Sequence, residues 1–272
     1  MNFSSLYSFF DDMIPKKTLI HQPSGNSPRE MAIVVHIYYI DVFYRDILPK
    51  ISQLEYRCDI FISTRNRYVE KVFSALHQLK SDSLIIVKGV ENTGFDMYPF
   101  TSIFATYYSD YKYICKIHTK KSEYDKNLEK WGEYLIQHML GNNDIVYGIL
   151  DIFIRNPGIG IIFPDTYPDV IPMLKWGSNY NQTLALLKRV GLNASIDKQD
   201  LIFPAGSMFW FRPDSLLPLF VSSIMKKEYV SNFLHPRDGT LAHAIERSIL
   251  YIAQQRGYDF YVLPGHIDEK NL

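Results

Sequence analysis

Tyr113-Ile114-Cys115-Lys116-Ile117-His118-Thr119-Lys120-Lys121-Ser122 opens as a short β-type run that delivers one imidazole and two ammonium groups into a loop. Three runs of the same kind precede it. Met31 to Ile40 is near-continuously apolar and β-branched, the pattern of a strand buried on both faces. Cys58 to Thr64 repeats that pattern, and Leu84 to Lys88 is a third example. Between them the apolar spacing turns helical, over Asp41 to Leu54, Arg67 to Lys80 and Tyr98 to Tyr108. This alternation predicts a parallel sheet with right-handed crossovers, a doubly wound α/β nucleotide-binding architecture. Such sheets hold ligands at their strand ends, where clustered positive donors suit an anion such as a diphosphate. A solvated basic turn is the alternative reading of the same loop.

With 272 residues the chain can bury a large core. Its 29 Lys and Arg balance 29 Asp and Glu, so global charge points neither to nucleic acid nor to an acidic membrane, and any anion site must be local. Aromatic residues make up 15% of the chain, a level that suits sugar-handling surfaces and plain cores alike. Cys58 and Cys115 sit in strand-like runs and read as buried free thiols in a reducing compartment. There is no apolar run long enough to span a membrane and no signal-peptide pattern, so a cytoplasmic protein is expected. Phe3, Leu6, Tyr7, Phe10, Met13 and Ile14 have helical spacing ended by Pro15. Residues 1–30 are therefore read as a helical extension, packed on the domain or, over 1–20, touching the inner face of a membrane.

Residues 31–272 are read as one domain, with a nucleotide-binding half over 31–122 and an acceptor half over 123–272. In the second half, helices are expected over Leu128 to Leu140, Asp144 to Arg155, Thr183 to Val190, Asp214 to Phe220 and Gly239 to Arg256. Strands are expected at Gly158 to Phe163 and Phe260 to Leu263, with a bent strand over Leu201 to Phe211 broken at Pro204 and Gly206.

Three further stretches could carry chemistry. Glu91-Asn92-Thr93-Gly94-Phe95-Asp96 follows the third strand, where Gly94 permits a tight turn and Asp96 could cap the next helix. Asn92 and Asp96 are then placed to bond a nucleotide sugar. Phe203 to Trp210 carries the small residues Gly206 and Ser207 inside an apolar stretch, a bulge or a place of close ligand approach. His235 to Arg247 opens the last helix, with Asp238 as its N-cap or as a general base, and His243 and Arg247 sharing a helical face. No HExxH, CxxC pair, Asp-x-Asp, GxSxG elbow, P-loop or GxGxxG occurs, which disfavours the enzymes those motifs mark.

The 91–100, 113–122, 203–210 and 238–247 stretches, together with Trp176-Gly177-Ser178-Asn179, resemble the rhamnan synthesis F family of bacterial polysaccharide glycosyltransferases, over about residues 31 to 260. The resemblance implies a GT-A-like fold and transfer of a sugar, typically rhamnose from dTDP-rhamnose, to a cell-surface polysaccharide or lipid-linked glycan. Other polysaccharide-assembly enzymes are then the expected partners. The same fold with a UDP-hexose or another dTDP-sugar, or a non-catalytic glycan- or nucleotide-sugar-binding subunit, are the alternatives. By position in the wider GT-A pattern, the Asn92, Gly94 and Asp96 turn meets the donor and Asp238 is the base of an inverting transfer, with His243 second. Where that pattern has an Asp-x-Asp holding a divalent metal, this chain has His118-Thr119-Lys120, which repels a cation. His118, Lys120 and Lys121 are expected to neutralise the leaving diphosphate without metal or other cofactor. Trp176, Gly206, Ser207 and Trp210 are the expected acceptor contacts.

Overall fold

The structure, a computed structural model, describes residues 16–23, 29–121, 125–193, 196, 198–199, 201–222, 224, 226–229 and 238–265. One eight-stranded sheet organises them. Its strands are β1 (Thr18–His21), β2 (Met31–Ile37), β3 (Cys58–Thr64), β4 (Ile85–Gly89), β5 (Tyr113–His118), β6 (Ile159–Pro164), β7 (Phe209–Phe211) and β8 (Asp259–Leu263). The spatial order is β1-β4-β3-β2-β5-β7-β6-β8. The centre, β4-β3-β2-β5, is parallel, as the strand–helix alternation predicts. Departures lie outside it: β1 runs antiparallel to β4, and β7 runs antiparallel to both β5 and β6.

Every residue of β2 and β3 is buried. In β2, Met31, Ile33, Val35 and Ile37 enter one apolar layer while Ala32 and Val34 enter the other, which is why the run is unbroken in sequence. The first layer is covered by the helical segment 40–53, α1 (Val69–Leu79), α2 (Trp131–Leu140) and α3 (Asn143–Arg155). The second is covered by residues 99–110, α4 (Tyr180–Arg189) and α5 (Leu241–Gln255). On α5, Ile245 and Ile249 face that core as their spacing predicts, and Leu241 packs at its edge. Asn142 starts α3 by accepting the Ile145 N–H at 2.9 Å. Cys58 and Cys115 are buried and free. No helix among the described residues is long and apolar enough to cross a membrane.

Three local expectations change. Thr18–His21 is an edge strand of the main sheet, so the extension is not wholly separate from the domain; the expected helix, and residues 1–15 of the 1–20 stretch expected to touch a membrane, lie outside the described residues. The third helix becomes a π-helical turn (Pro99–Ile103) and a 3-10 turn (Ala105–Asp110). Only Phe209–Phe211 of the 201–211 stretch is strand, because left-handed backbone at Gly206 (φ +89°) and Ser207 (φ +62°) turns the chain just before it.

Candidate functional site

The C-terminal ends of β2, β4 and β5 open into a cleft of about 730 Å³, within the usual size of a small-ligand site. The loop after β5 is fastened there. Thr119 donates its N–H to the His36 carbonyl at 3.0 Å, and its hydroxyl accepts the N–H groups of Tyr38 and Tyr39, both at 2.9 Å. A Cβ on Gly132 would lie 2.7 Å from the Lys120 carbonyl oxygen, so the absence of a side chain lets the start of α2 pack against this loop. Lys120 consequently has its ammonium 3.8 Å from the centre of the Trp131 ring. Burial lowers the Lys120 pKa, against the opposing influence of Glu246 and Asp96. Lys121 also lines the cleft, but its ammonium is 2.6 Å from Asp41 and leans on Tyr39.

Beneath the loop lies a charge that reading Tyr113 to Ile117 as plain strand does not pick out. Lys116, 1% exposed, lies behind the cleft lining, where its ammonium pairs with Asp96 and donates to the Ser207 carbonyl at 2.6 Å. It thereby joins the turn after β4, strand β5 and the turn before β7. Asp96 does not cap the following helix, because its carboxylate turns back to Lys116. Burial alone would raise the Asp96 pKa, but the Lys116 ammonium, through its charge and its hydrogen bond, holds the carboxyl well below the usual range.

His118 corrects another expectation. Burial drives its pKa down to about 3, and the attraction of Asp96 does not restore it, so the imidazole is neutral at pH 7. Its Nδ1, 3.6 Å from Asp96 Oδ2, is buried and has no hydrogen-bond partner among the described residues. His118 therefore offers a ligand a hydrogen bond and no charge. On β2, His36 lies beside it in register; burial lowers its pKa to about 4, and its Nδ1 lies 2.9 Å from the Ser63 hydroxyl.

α5 supplies further polar groups. Asp238 lines the cleft but does not cap the helix; Thr240 does, its hydroxyl accepting the His243 N–H and lying 2.7 Å from His243 Nδ1. Asp238 instead receives the Ser178 N–H at 3.0 Å on Oδ2 and the Asn179 amide on Oδ1. Burial opposes these hydrogen bonds, which nonetheless hold its pKa below the ordinary aspartate value. Gly177 (φ +51°) permits this approach, since a Cβ there would lie 2.2 Å from Asp238 Oδ2. The His243 pKa is lowered, first by burial and then by Arg247. Glu246 accepts the Gly206 N–H at 2.9 Å, and burial raises its pKa. Arg247 donates to the Lys175 carbonyl and lies over the Phe203 ring.

Of the expected donor contacts, Asn92, Asp96, His118, Lys120 and Lys121 line the cleft together. Gly94 (φ +66°) does not; it is buried where a Cβ would lie 2.4 Å from the Tyr229 ring, and it shapes the turn. Among the acceptor contacts, Gly206 and Ser207 reach the cleft. Trp210 does not, being 0% exposed with its indole N–H bonded to the Met139 carbonyl in the core. Trp176 is likewise buried, edge-on to Tyr180. The tryptophan that lines the cleft is Trp131, whose indole nitrogen is buried and has no hydrogen-bond partner among the described residues.

The chain is 29% identical over 219 residues to the uncharacterized protein WxcX in two strains of Xanthomonas campestris pv. campestris. That alignment takes in 80% of this chain and 30% of WxcX, so the chain spans under a third of the curated relatives it matches. The mannosyltransferase PcManGT from Pyrobaculum calidifontis, solved in complex with GDP-Man and Mn2+, is 10% identical with a TM-score of 0.49. The alignment covers 96% of this chain and 62% of that one, a likeness too distant to bear on fold or function. The family described as rhamnan synthesis protein F matches residues 3–258, reaching further toward the N-terminus than the motifs alone indicate. The chain belongs to the rhamnan synthesis protein F family.

Proposed function

We propose that the chain is a glycosyltransferase of the GT-A-like class that takes a nucleotide sugar, with dTDP-rhamnose the first candidate, and passes the sugar to a growing cell-surface glycan with inversion. One observation carries this reading: the half-buried Lys120 shares a strand-end cleft with carboxyl groups on and before α5. A cation and a base in one cleft are what transfer from a diphosphate requires. The acceptor oxygen attacks the anomeric carbon, the bond from that carbon to the phosphate oxygen breaks, and the electron pair leaves with the diphosphate. Lys120 stabilises the departing charge and His118 donates a hydrogen bond to it. Asn92 and the Asp96 turn position the donor. The polymer named in the family description, rhamnan, is built of rhamnose and supports that sugar, with a UDP-hexose or another dTDP-sugar as the alternative donor.

The residues at the strand end do not fit a divalent cation. The Asp96 carboxylate is already paired with Lys116, and Lys120 stands on the same cleft. A metal there would meet ammonium groups in place of a set of oxygen ligands. The reading is therefore of a metal-independent transfer.

Thermal unfolding against dTDP-rhamnose, UDP-glucose and GDP-mannose tests it. A ligand present at 100 times its Kd stabilises the folded state by about 2.7 kcal/mol, which is readily measured. A rise with one of these donors is expected, and no rise with any of them contradicts the proposal.

A further inference from the structure

We infer that Glu246, in place of Asp238, is the group that removes the acceptor hydroxyl proton. The inference rests on the glycosyltransferase reading. Both Asp238 oxygens are committed to the loop beside them, Oδ2 to the Ser178 N–H and Oδ1 to the Asn179 amide. Asn179 also accepts the Gly239 N–H at 3.0 Å, so Asp238 is one strut in a frame that ties residues 177–179 to the approach of α5. Taking a proton there would weaken the hydrogen bonds that lower its proton affinity. His243 has its Nδ1 engaged with the Thr240 hydroxyl at 2.7 Å, which leaves only Nε2, and burial and then Arg247 lower its proton affinity.

Glu246 stands on the second turn of α5 and lines the same cleft. Its Oε1 accepts the Gly206 N–H, which fixes the carboxyl against the left-handed turn before β7. Its Oε2 is 3.7 Å from Arg247 Nη1, beyond hydrogen-bonding range, and receives no hydrogen bond from the described residues. One oxygen is thus anchored by the backbone and the other is open. The charges that act on it are Lys120 from the loop after β5, Asp96 from the turn after β4 and Arg247 on its own helix. Burial outweighs the two cations and raises its proton affinity, whereas that of Asp238 is lowered. A base of raised affinity takes a proton more readily.

In the step, the acceptor O–H bond breaks, its proton passes to Glu246 Oε2, and its electron pair forms the bond to the anomeric carbon as the sugar–phosphate bond opens. Glu246 then returns the proton to water.

Release of dTDP from dTDP-rhamnose with water as acceptor, measured from pH 4 to 8 with UDP-glucose and GDP-mannose in parallel, tests the assignment. Wild type is expected to lose kcat/KM on the acid side with an apparent pKa above the ordinary glutamate value. Activity that persists undiminished down to the ordinary aspartate value overturns the assignment, and this readout needs no variant. Glu246→Gln keeps an oxygen for the Gly206 N–H but cannot accept the proton. It is expected to lose about 100-fold or more in kcat while binding donor as wild type does. Turnover within threefold of wild type, or lost donor binding by a folded variant, overturns the role. Wild-type protein that neither binds nor turns over any of the three donors defeats the glycosyltransferase reading itself, and Glu246 with it.

Discussion

Replacing Lys116 by methionine keeps most of the side chain's length and removes its charge, which makes it the sharpest probe of the layer behind the cleft lining. Lys116 is 1% exposed and pairs with Asp96, whose side chain is 12% exposed. Removing one partner of such a pair costs about 3–5 kcal/mol, because the other charge is left buried and uncompensated. The Ser207 carbonyl also loses its donor. These terms overlap, so the expected loss for Lys116→Met at pH 7.5 remains about 3–5 kcal/mol. In wild type the Asp96 pKa is depressed, so its contribution to stability is present above the ordinary aspartate value and fades as pH falls through the depressed one. Without Lys116 the effect of burial dominates and the Asp96 pKa rises, so the variant's deficit shrinks as pH falls from 7.5 to 5. Adding Asp96→Asn removes the stranded charge and should restore at least about 1 kcal/mol. Urea unfolding followed by circular dichroism at the two pH values measures all of this. A Lys116→Met deficit under 1 kcal/mol at pH 7.5, or a double variant less stable than the single one, would refute the reasoning.

Two more expectations are quickly checked. Gly94→Val sets a β-branched residue at φ +66° against the Tyr229 ring. It should cost about 2–5 kcal/mol from left-handed backbone and overpacking together, read as a fall in the urea midpoint. Donor affinity should not rise as pH falls from 8 to 5.5, because His118 is neutral throughout with a pKa of about 3; it should fall on the alkaline side as Lys120, with its lowered pKa, loses its proton. Affinity that tracks an imidazole titration near 6.5 in a calorimetric pH series contradicts this.

The central sheet was legible because β2 and β3 are buried on both faces, and an unbroken β-branched run has few other uses. The loop at His118 to Lys121 was legible for the related reason that polar groups ending such a run must leave the core. β1 was not, since four residues with alternating exposure at a sheet edge leave little pattern. Lys116 was missed because its partner Asp96 lies 20 residues away in a turn. An apolar strand that carries one lysine is the available signal, since a fully buried lysine requires a partner. Trp176 and Trp210 were misassigned because a tryptophan serves a core and a sugar face equally well. Nothing in the sequence gives Glu246 a role; only the fold brings Gly206, 40 residues away, onto its carboxyl.

The central claim is that protein charge, with Lys120 foremost, holds the donor diphosphate in place of a metal. Calorimetric titration of dTDP-rhamnose into the protein, in EDTA and then in Mg2+ or Mn2+, tests it most directly, with Lys120→Met alongside. Equal affinity with and without metal is expected, with a loss of about 10-fold or more in Lys120→Met, as removal of one charge-assisted contact worth about 1.5–3 kcal/mol implies. Binding that appears only with the divalent cation, or is unchanged in Lys120→Met, would contradict it.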